Sequence, residues 1–374
     1  MRIPRMAIEA ESPEQLGYDR LKFNLTESSV RDRDLAEFDL DLKALTLCYG
    51  DHLGRADLRA MIAARAGGGL TADDVLITAG ASAALFIIAL TLLEAGDHMV
   101  VVRPNYATNI ETPRAIGCDI SYLDLKFEDG FALDLTALAA LTGPTTKLIS
   151  ITAPHNPTGV PLTEADLRAV IDIGAACGAR SGAHVLVDET YRDMSFAPPP
   201  PVAATLDPRA ISVCSLSKAF GIPGIRTGWI LTRDADLALR FLCAKEQIGI
   251  CGSVVDEAIA ASAYAQAESW LADNDTRLRD AFATVRDWMA GEPLLEWVEP
   301  GGGCVAFPRI REDSGVDVAA FHRILNDDHG TYVGPGHWFE QSDRYFRLGY
   351  GWPTAAELAG GLDAISESLR AARA

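Results

Sequence analysis

Cations are scarce in this sequence. Its 374 residues include 52 acids against 33 lysines and arginines, a formal charge of −19 at pH 7. Nucleic acid and anionic membrane surfaces are therefore not expected as partners, because both recruit proteins through basic patches. Long apolar runs are also missing. The longest, near Ala83 to Leu93, is too short to span a bilayer and ends in Glu94. The first ten residues, Met1 to Ala10, have no extended apolar core before their first acid, so no secretory leader is expected. Paired-cysteine signals are absent. The seven cysteines, at 48, 118, 177, 214, 243, 251 and 304, are odd in number, scattered and never spaced CxxC. A reducing, cytoplasmic compartment is expected. The seven histidines form no HxxxH pair and no zinc-type spacing occurs, so no metal is expected. No internal repeat is visible.

What is present is an alternation of apolar runs with helical spacing. Strands are expected at Val75–Thr78, His98–Val102, Lys147–Thr152, Val185–Val187, Ala210–Ser215 and Trp229–Leu231. Helices are expected over 55–65, 79–93, 162–176, 234–247 and 254–289, with Thr163 and Asp166 reading as a capping box. This pattern predicts an α/β fold, a mainly parallel sheet with helices on both faces and functional residues at the strands' C-terminal ends. Gly291-Glu-Pro293 reads as a boundary. Beyond it the order becomes strand (304–307), helix (317–326), two strands (332–336, 345–349) and a closing helix (354–372). Pro198–Pro201 reads as a stiff exposed connection.

The chemistry concentrates in Ser215–Trp229, which runs Ser-Leu-Ser-Lys-Ala-Phe-Gly-Ile-Pro-Gly-Ile-Arg-Thr-Gly-Trp. Lys218 follows a strand end on a turn broken by Gly221, Pro223, Gly224 and Gly228. A lysine desolvated there titrates downward and becomes a nucleophile suited to Schiff-base chemistry. Ser215, Ser217 and Arg226 supply hydroxyl donors and a permanent charge for a phosphate. Ala79-Gly-Ala-Ser-Ala-Ala-Leu85 places small residues between a strand and a helix start, where free N–H groups favour an anion, and Ser82 adds a hydroxyl. Asp188 ends a strand, where a carboxylate needs a partner. Asn156-Pro-Thr-Gly159 is a turn by its chemistry.

In this order these motifs resemble those of the class I/II aminotransferases, the fold-type I family of pyridoxal-phosphate enzymes, over nearly the whole chain from Tyr49 to Arg347. The resemblance implies that Lys218 carries pyridoxal 5'-phosphate as a Schiff base and then moves the α-proton. It implies that Asp188 pairs with the pyridine nitrogen, that Asn156 and Tyr191 bond the phenolic oxygen, and that Tyr106 stacks on the ring. Asn156 also borders the substrate. Ala81, Ser82, Ser215, Ser217 and Arg226 would hold the phosphate, joined by Tyr49 from a neighbouring subunit. Arg347 would clamp the substrate carboxylate. The family further implies a large cofactor domain of about 46–285, a small α+β domain from 1–45 and 286–374, and a homodimer with shared sites. The substrates implied are an L-amino acid and a 2-oxo acid.

Transamination is the default reaction. Elimination or cyclisation, as in the capreomycidine-synthase branch that this chain also resembles, uses the same residues. A non-enzymatic sensor is disfavoured by the intact Lys218–Asp188 pair and by the lack of a preceding basic helix-turn-helix. The segment Thr26-Glu-Ser-Ser29 departs from the family, which commonly has Gly and Pro at this substrate mouth. A carboxylate there, Glu27, would need a cationic partner when desolvated. That partner is either the side chain of an arginine-like substrate or a protein cation such as Arg31; the remaining alternative is that Glu27 turns to solvent.

Overall fold

The computed structural model describes residues 2–38, 40–177 and 182–373. Its strands, in chain order, are β1 (Phe23–Leu25), β2 (Val75–Thr78), β3 (His98–Arg103), β4 (Asp119–Asp124), β5 (Thr146–Thr152), β6 (His184–Asp188), β7 (Ala210–Ser215), β8 (Gly228–Leu231), β9 (Leu295–Glu296), β10 (Val305–Ala306), β11 (Arg309–Ile310), β12 (Thr331–Pro335) and β13 (Phe346–Gly349). Seven form one sheet in the order β2-β8-β7-β6-β5-β3-β4. Its pairings are parallel except at β8, which runs antiparallel to both β2 and β7.

The near-continuous apolar runs follow from burial on both faces. Along β3, Met99 and Val101 pack to one side with the helix Gly80–Leu92, while Val100 and Val102 pack to the other with the helix Glu164–Ala176. The same division separates Leu148 from Ile149 and Ile151 on β5, and Leu186 from Val185 and Val187 on β6. Each buried aliphatic side chain contributes about 1.5–3 kcal/mol relative to exposure. Stability therefore resides in the strand interiors, and the strand ends are left to carry polar groups. The helix Glu164–Ala176 starts at the expected capping box, with Thr163 N donating to Asp166 Oδ2 at 2.8 Å and Asp166 N to Thr163 Oγ1 at 3.1 Å.

A second sheet has the order β1-β12-β13-β10, with β1 parallel to β12 and the other pairs antiparallel. The helix Ala355–Ala371 covers it with buried Leu358, Leu362, Ile365 and Leu369. Residues from near the N-terminus thus complete a sheet otherwise built from the last third of the chain. The helical stretch expected over 254–289 is two helices, Val254–Ala265 and Ala267–Gly291, meeting at Gln266. Residue 285, the expected domain border, falls inside the second. The helix expected over 317–326 is a short α-helix, Val318–Arg323, continued by a π-turn over Ile324–Asp328. Among the described residues no helix is long and apolar enough to cross a membrane.

Candidate active site

A cavity of about 590 Å³ opens at the C-terminal ends of the large sheet's parallel strands and gathers most of the residues singled out by sequence. Asp188 ends β6, Ser215 ends β7, and Lys218 follows three residues later. The Asp188 Oδ1 atom accepts from Thr190 N at 3.1 Å and from Thr190 Oγ1 at 2.5 Å, a local loop that fixes the carboxylate's direction. Burial pushes this carboxyl up, opposed by the Thr190 hydrogen bonds and by Lys218. Asn156 enters from the turn after β5, and Tyr191 from the turn after β6. Burial raises the Tyr191 phenol as well.

The anion cradle lies at one wall. Gly80 begins its helix with φ +80°, and the Arg226 guanidinium packs against it closely enough that a Cβ at 80 would sit 2.6 Å from Nη2. Arg226 itself is left-handed, φ +46°, closing the turn Pro223–Ile225, with Nη1 donating to Pro223 O at 3.0 Å. Across the cradle a Cβ at Gly228 would meet Ala81 N at 2.6 Å, so only glycine lets β8 approach the helix start. The helix start at Ala81, where free N–H groups and the helix dipole favour an anion, lines the same cavity as Arg226, Ser82, Ser215 and Ser217. Tyr106 borders it, its hydroxyl 3.3 Å from Ser82 Oγ and donating to Glu9 Oε1 at 3.2 Å.

The remaining wall comes from the N-terminal segment and β13. Arg347 is buried; Nη2 donates to Thr26 O at 2.7 Å and Nη1 to Asn156 Oδ1 at 3.3 Å, while Nε is buried without a partner among the described residues. Gly349 makes the approach possible, since a Cβ there would fall 1.9 Å from Glu27 O. Glu27 lines the cavity. Its Oε1 accepts from Asn24 Nδ2 at 3.3 Å and from Tyr18 Oη at 3.5 Å. Arg31 does not serve it: that guanidinium pairs with Glu357 at 2.9 Å and lies over the Trp352 ring. Among the described residues no cation is within ion-pair distance of Glu27. Burial pushes the Glu27 carboxyl up, and the positive charge of Lys218 opposes this. Burial pushes the Lys218 amine down, opposed by Glu27. Lys218 Nζ donates to Ser28 Oγ at 3.0 Å.

Lys218, Asp188, Tyr106, Ala81, Ser82, Asn156, Tyr191, Ser215, Ser217, Arg226, Arg347 and Glu27 thus share one cavity. Tyr49 does not; it is 81% exposed and outside the cavity of its own chain. Sequence reasoning missed Thr190, Ser28, Asn24, Tyr18 and Glu9. Only Thr190 left a local signal, a hydroxyl two residues after an aspartate. The others meet the site through contacts that no local spacing reports. His155, given no role from sequence, is a buried structural group: its ring nitrogens contact Thr158 Oγ1 and Pro104 O at 2.8 Å, and burial lowers it to about 4.

These groups fit pyridoxal 5'-phosphate. A buried carboxylate, hydrogen-bonded by Thr190 and lining the cavity, suits a ring N–H. A glycine-started helix with Arg226 and three hydroxyls suits a phosphate. The unpaired Arg347 Nε leaves donor capacity for a carboxylate.

Comparison with known proteins agrees. The family model "Aminotransferase class I and II" matches residues 34–365. The chain is 33% identical over 331 residues to the capreomycidine synthase of Streptomyces vinaceus, covering 88% of this chain and 82% of that protein. It is 31% identical over 318 residues to the arginine–pyruvate transaminase AruH of Pseudomonas aeruginosa, covering 80% and 77%. The crystal structure of a PLP-dependent aminotransferase from Streptococcus suis superposes with a TM-score of 0.91 at 27% identity, covering all of both chains. The chain therefore belongs to the class I and II aminotransferases, with fold type I architecture and pyridoxal 5'-phosphate as its cofactor.

Proposed function

We propose that this chain transfers the amino group of an L-amino acid with a cationic side chain, arginine or a relative, to a 2-oxo acid. When bound, pyridoxal 5'-phosphate supplies the electron sink that makes the α-proton acidic. Lys218, kept low by burial, would carry the cofactor and then move the α-proton: Nζ would accept it from Cα and return it. Asp188 would favour a proton on the ring nitrogen, and a charge pair of this kind is worth about 4 kcal/mol at an effective dielectric near 20. Asn156 and Tyr191 would bond the ring oxygen, and Tyr106 would stack on the ring. Ser82, the Ala81 backbone, Ser215, Ser217 and Arg226 would hold the phosphate. Arg347 grips the substrate carboxylate with its planar fork and so points the Cα–H bond at Lys218.

One observation carries the choice of substrate. Glu27 presents a carboxylate in the same cavity as Lys218 and Arg347 with no protein cation within ion-pair distance among the described residues. A guanidinium from the substrate would neutralise it. The test is a panel of amino acids with pyruvate or α-ketoglutarate, read by the absorbance change that accompanies amino transfer to the cofactor. Arginine-type donors are expected to be fastest; glutamate or aromatic donors turning over far faster would overturn the assignment.

The similarity to a capreomycidine synthase supports a second reading, elimination or cyclisation of a modified basic amino acid. Omitting the 2-oxo acid separates the two. A transaminase stops after one turnover, whereas a lyase or cyclase continues. The exposed Tyr49, with Leu47 beside it at 77% exposure, supports a homodimer in which Tyr49 reaches the other subunit's phosphate. The division into large and small domains is part of the same proposal.

A further inference from the structure

Ser28 lies where two groups of the reaction meet. Its oxygen accepts the hydrogen bond from Lys218 Nζ at 3.0 Å, and its hydroxyl opposes the upward push that burial gives the Tyr191 phenol. The side chain is buried, 5% exposed, and the backbone around it is tied to the lysine loop. Val30 N donates to Lys218 O at 3.1 Å, and Arg33 N donates to Gly221 O at 2.9 Å. Gly349 and Gly351 lie directly against the carbonyls of Glu27 and Ser29, where a Cβ would come within 1.9 and 2.9 Å. The backbone that carries Ser28 is thus fixed against the lysine loop and against β13 and the residues after it.

We propose that Ser28 is a positioning residue for Lys218, whose hydroxyl oxygen accepts from the free ε-amine, keeps its lone pair turned to the substrate Cα and stabilises the ammonium that forms there. The inference rests on the reading of Lys218 as the base. In the step concerned the Cα–H bond breaks, an N–H bond forms at Nζ, and the C–H electron pair passes into the conjugated ring system of the cofactor. Ser28 neither gains nor loses a proton. Its effect is selective because a hydrogen bond donated by an ammonium is about twice as strong as one donated by a neutral amine. The charged and titratable groups that act on the Lys218 amine are Glu27, Glu14, Asp188, Arg347 and the Cys304 thiol. Removing the Ser28 hydroxyl changes none of these charges, so a moved midpoint at Lys218 reads a lost hydrogen bond rather than a lost charge.

The test uses the full-length chain in two forms. In the cofactor-free protein, competitive acylation of Lys218 is followed against pH by peptide mass spectrometry. Ser28→Ala is expected to lower the titration midpoint of the amine by about one unit, the scale of a hydrogen bond to a charged group. Ser28→Thr should restore most of the shift. In the holoenzyme, exchange of the substrate α-hydrogen with deuterated water should slow about tenfold in Ser28→Ala, with KM for the amino acid unchanged, and recover in Ser28→Thr. An unchanged midpoint in Ser28→Ala overturns the inference. So does a threonine variant as impaired as alanine, or a shifted midpoint without slower exchange. The acylation arm needs no cofactor. Failure of borohydride to fix the cofactor to Lys218 would sink the proposed function, while the acylation result on Ser28 would still be read separately.

Discussion

Under the proposed function, the residues assigned to the cofactor, the cradle, and those assigned to the substrate, the mouth, are built by different means. The cradle is assembled from pieces that are each local in sequence: the end of β6 and the turn after it with Asp188 and Thr190, the turn after β7 with Lys218, and the helix start after β2 with Gly80 to Ser82. The mouth is assembled from remote pieces. Arg347 bonds Thr26 across 321 residues, and Lys218 bonds Ser28 across 190. Local pieces leave motifs; remote ones leave single residues with no pattern around them.

This contrast makes a graded set of predictions, because damage to the cradle should be blind to substrate and damage to the mouth should not. The largest loss is expected at Lys218→Ala. The protein should fold and bind the cofactor without a covalent link, and steady-state turnover should vanish for every amino acid. Borohydride reduction followed by peptide mapping checks it; cofactor fixed at another lysine, with activity intact, would erase the distinction at its centre. Next, Asp188→Asn should lower kcat about a thousandfold, the rate equivalent of about 4 kcal/mol, and by the same factor for basic and neutral donors. A change under about tenfold would remove Asp188 from the cradle.

Arg347→Lys should raise KM and lower kcat for all α-carboxylate substrates, since a point charge cannot reproduce a planar fork. Kinetics equal to those of the parent would show that Arg347 belongs to the packing alone. The smallest and most selective effect is expected at Glu27→Gln. Arginine-type donors should weaken by about 2 kcal/mol while neutral donors are spared, as when a buried charge pair loses one member. Uniform weakening across the panel would fold the mouth back into the cradle.

The cradle's legibility has a physical basis. Lys218, Asp188, Asn156, Tyr191 and Arg226 sit at turns whose sequence chemistry is constrained by glycines, prolines and strand ends, so their places could be read in one dimension. Glu27 was legible as a departure, but its neighbours were not. Tyr18 and Asn24 approach it through a segment with few periodic cues, and the pairing of Arg31 with Glu357 joins residues 326 apart. The large sheet was equally open to reading, because burial on both faces leaves continuous apolar runs. The small sheet was less so. Its strands are as short as the two-residue β10, and its edge strand β1 comes from the opposite end of the chain.

The contact at Gly349 has one further consequence. Arg347 lies two residues before it on the same strand and donates to the carbonyl of Thr26, the residue preceding Glu27. Under the proposed function the group that takes the α-carboxylate and the group that takes the distal cation are thus mounted on one splice of backbone. Their separation is set by main-chain contact rather than by a loop that can adjust. Such a mounting works as a ruler: it measures the number of methylenes between carboxylate and cation, so shortening a basic substrate by one carbon should cost more than exchanging its guanidinium for an ammonium.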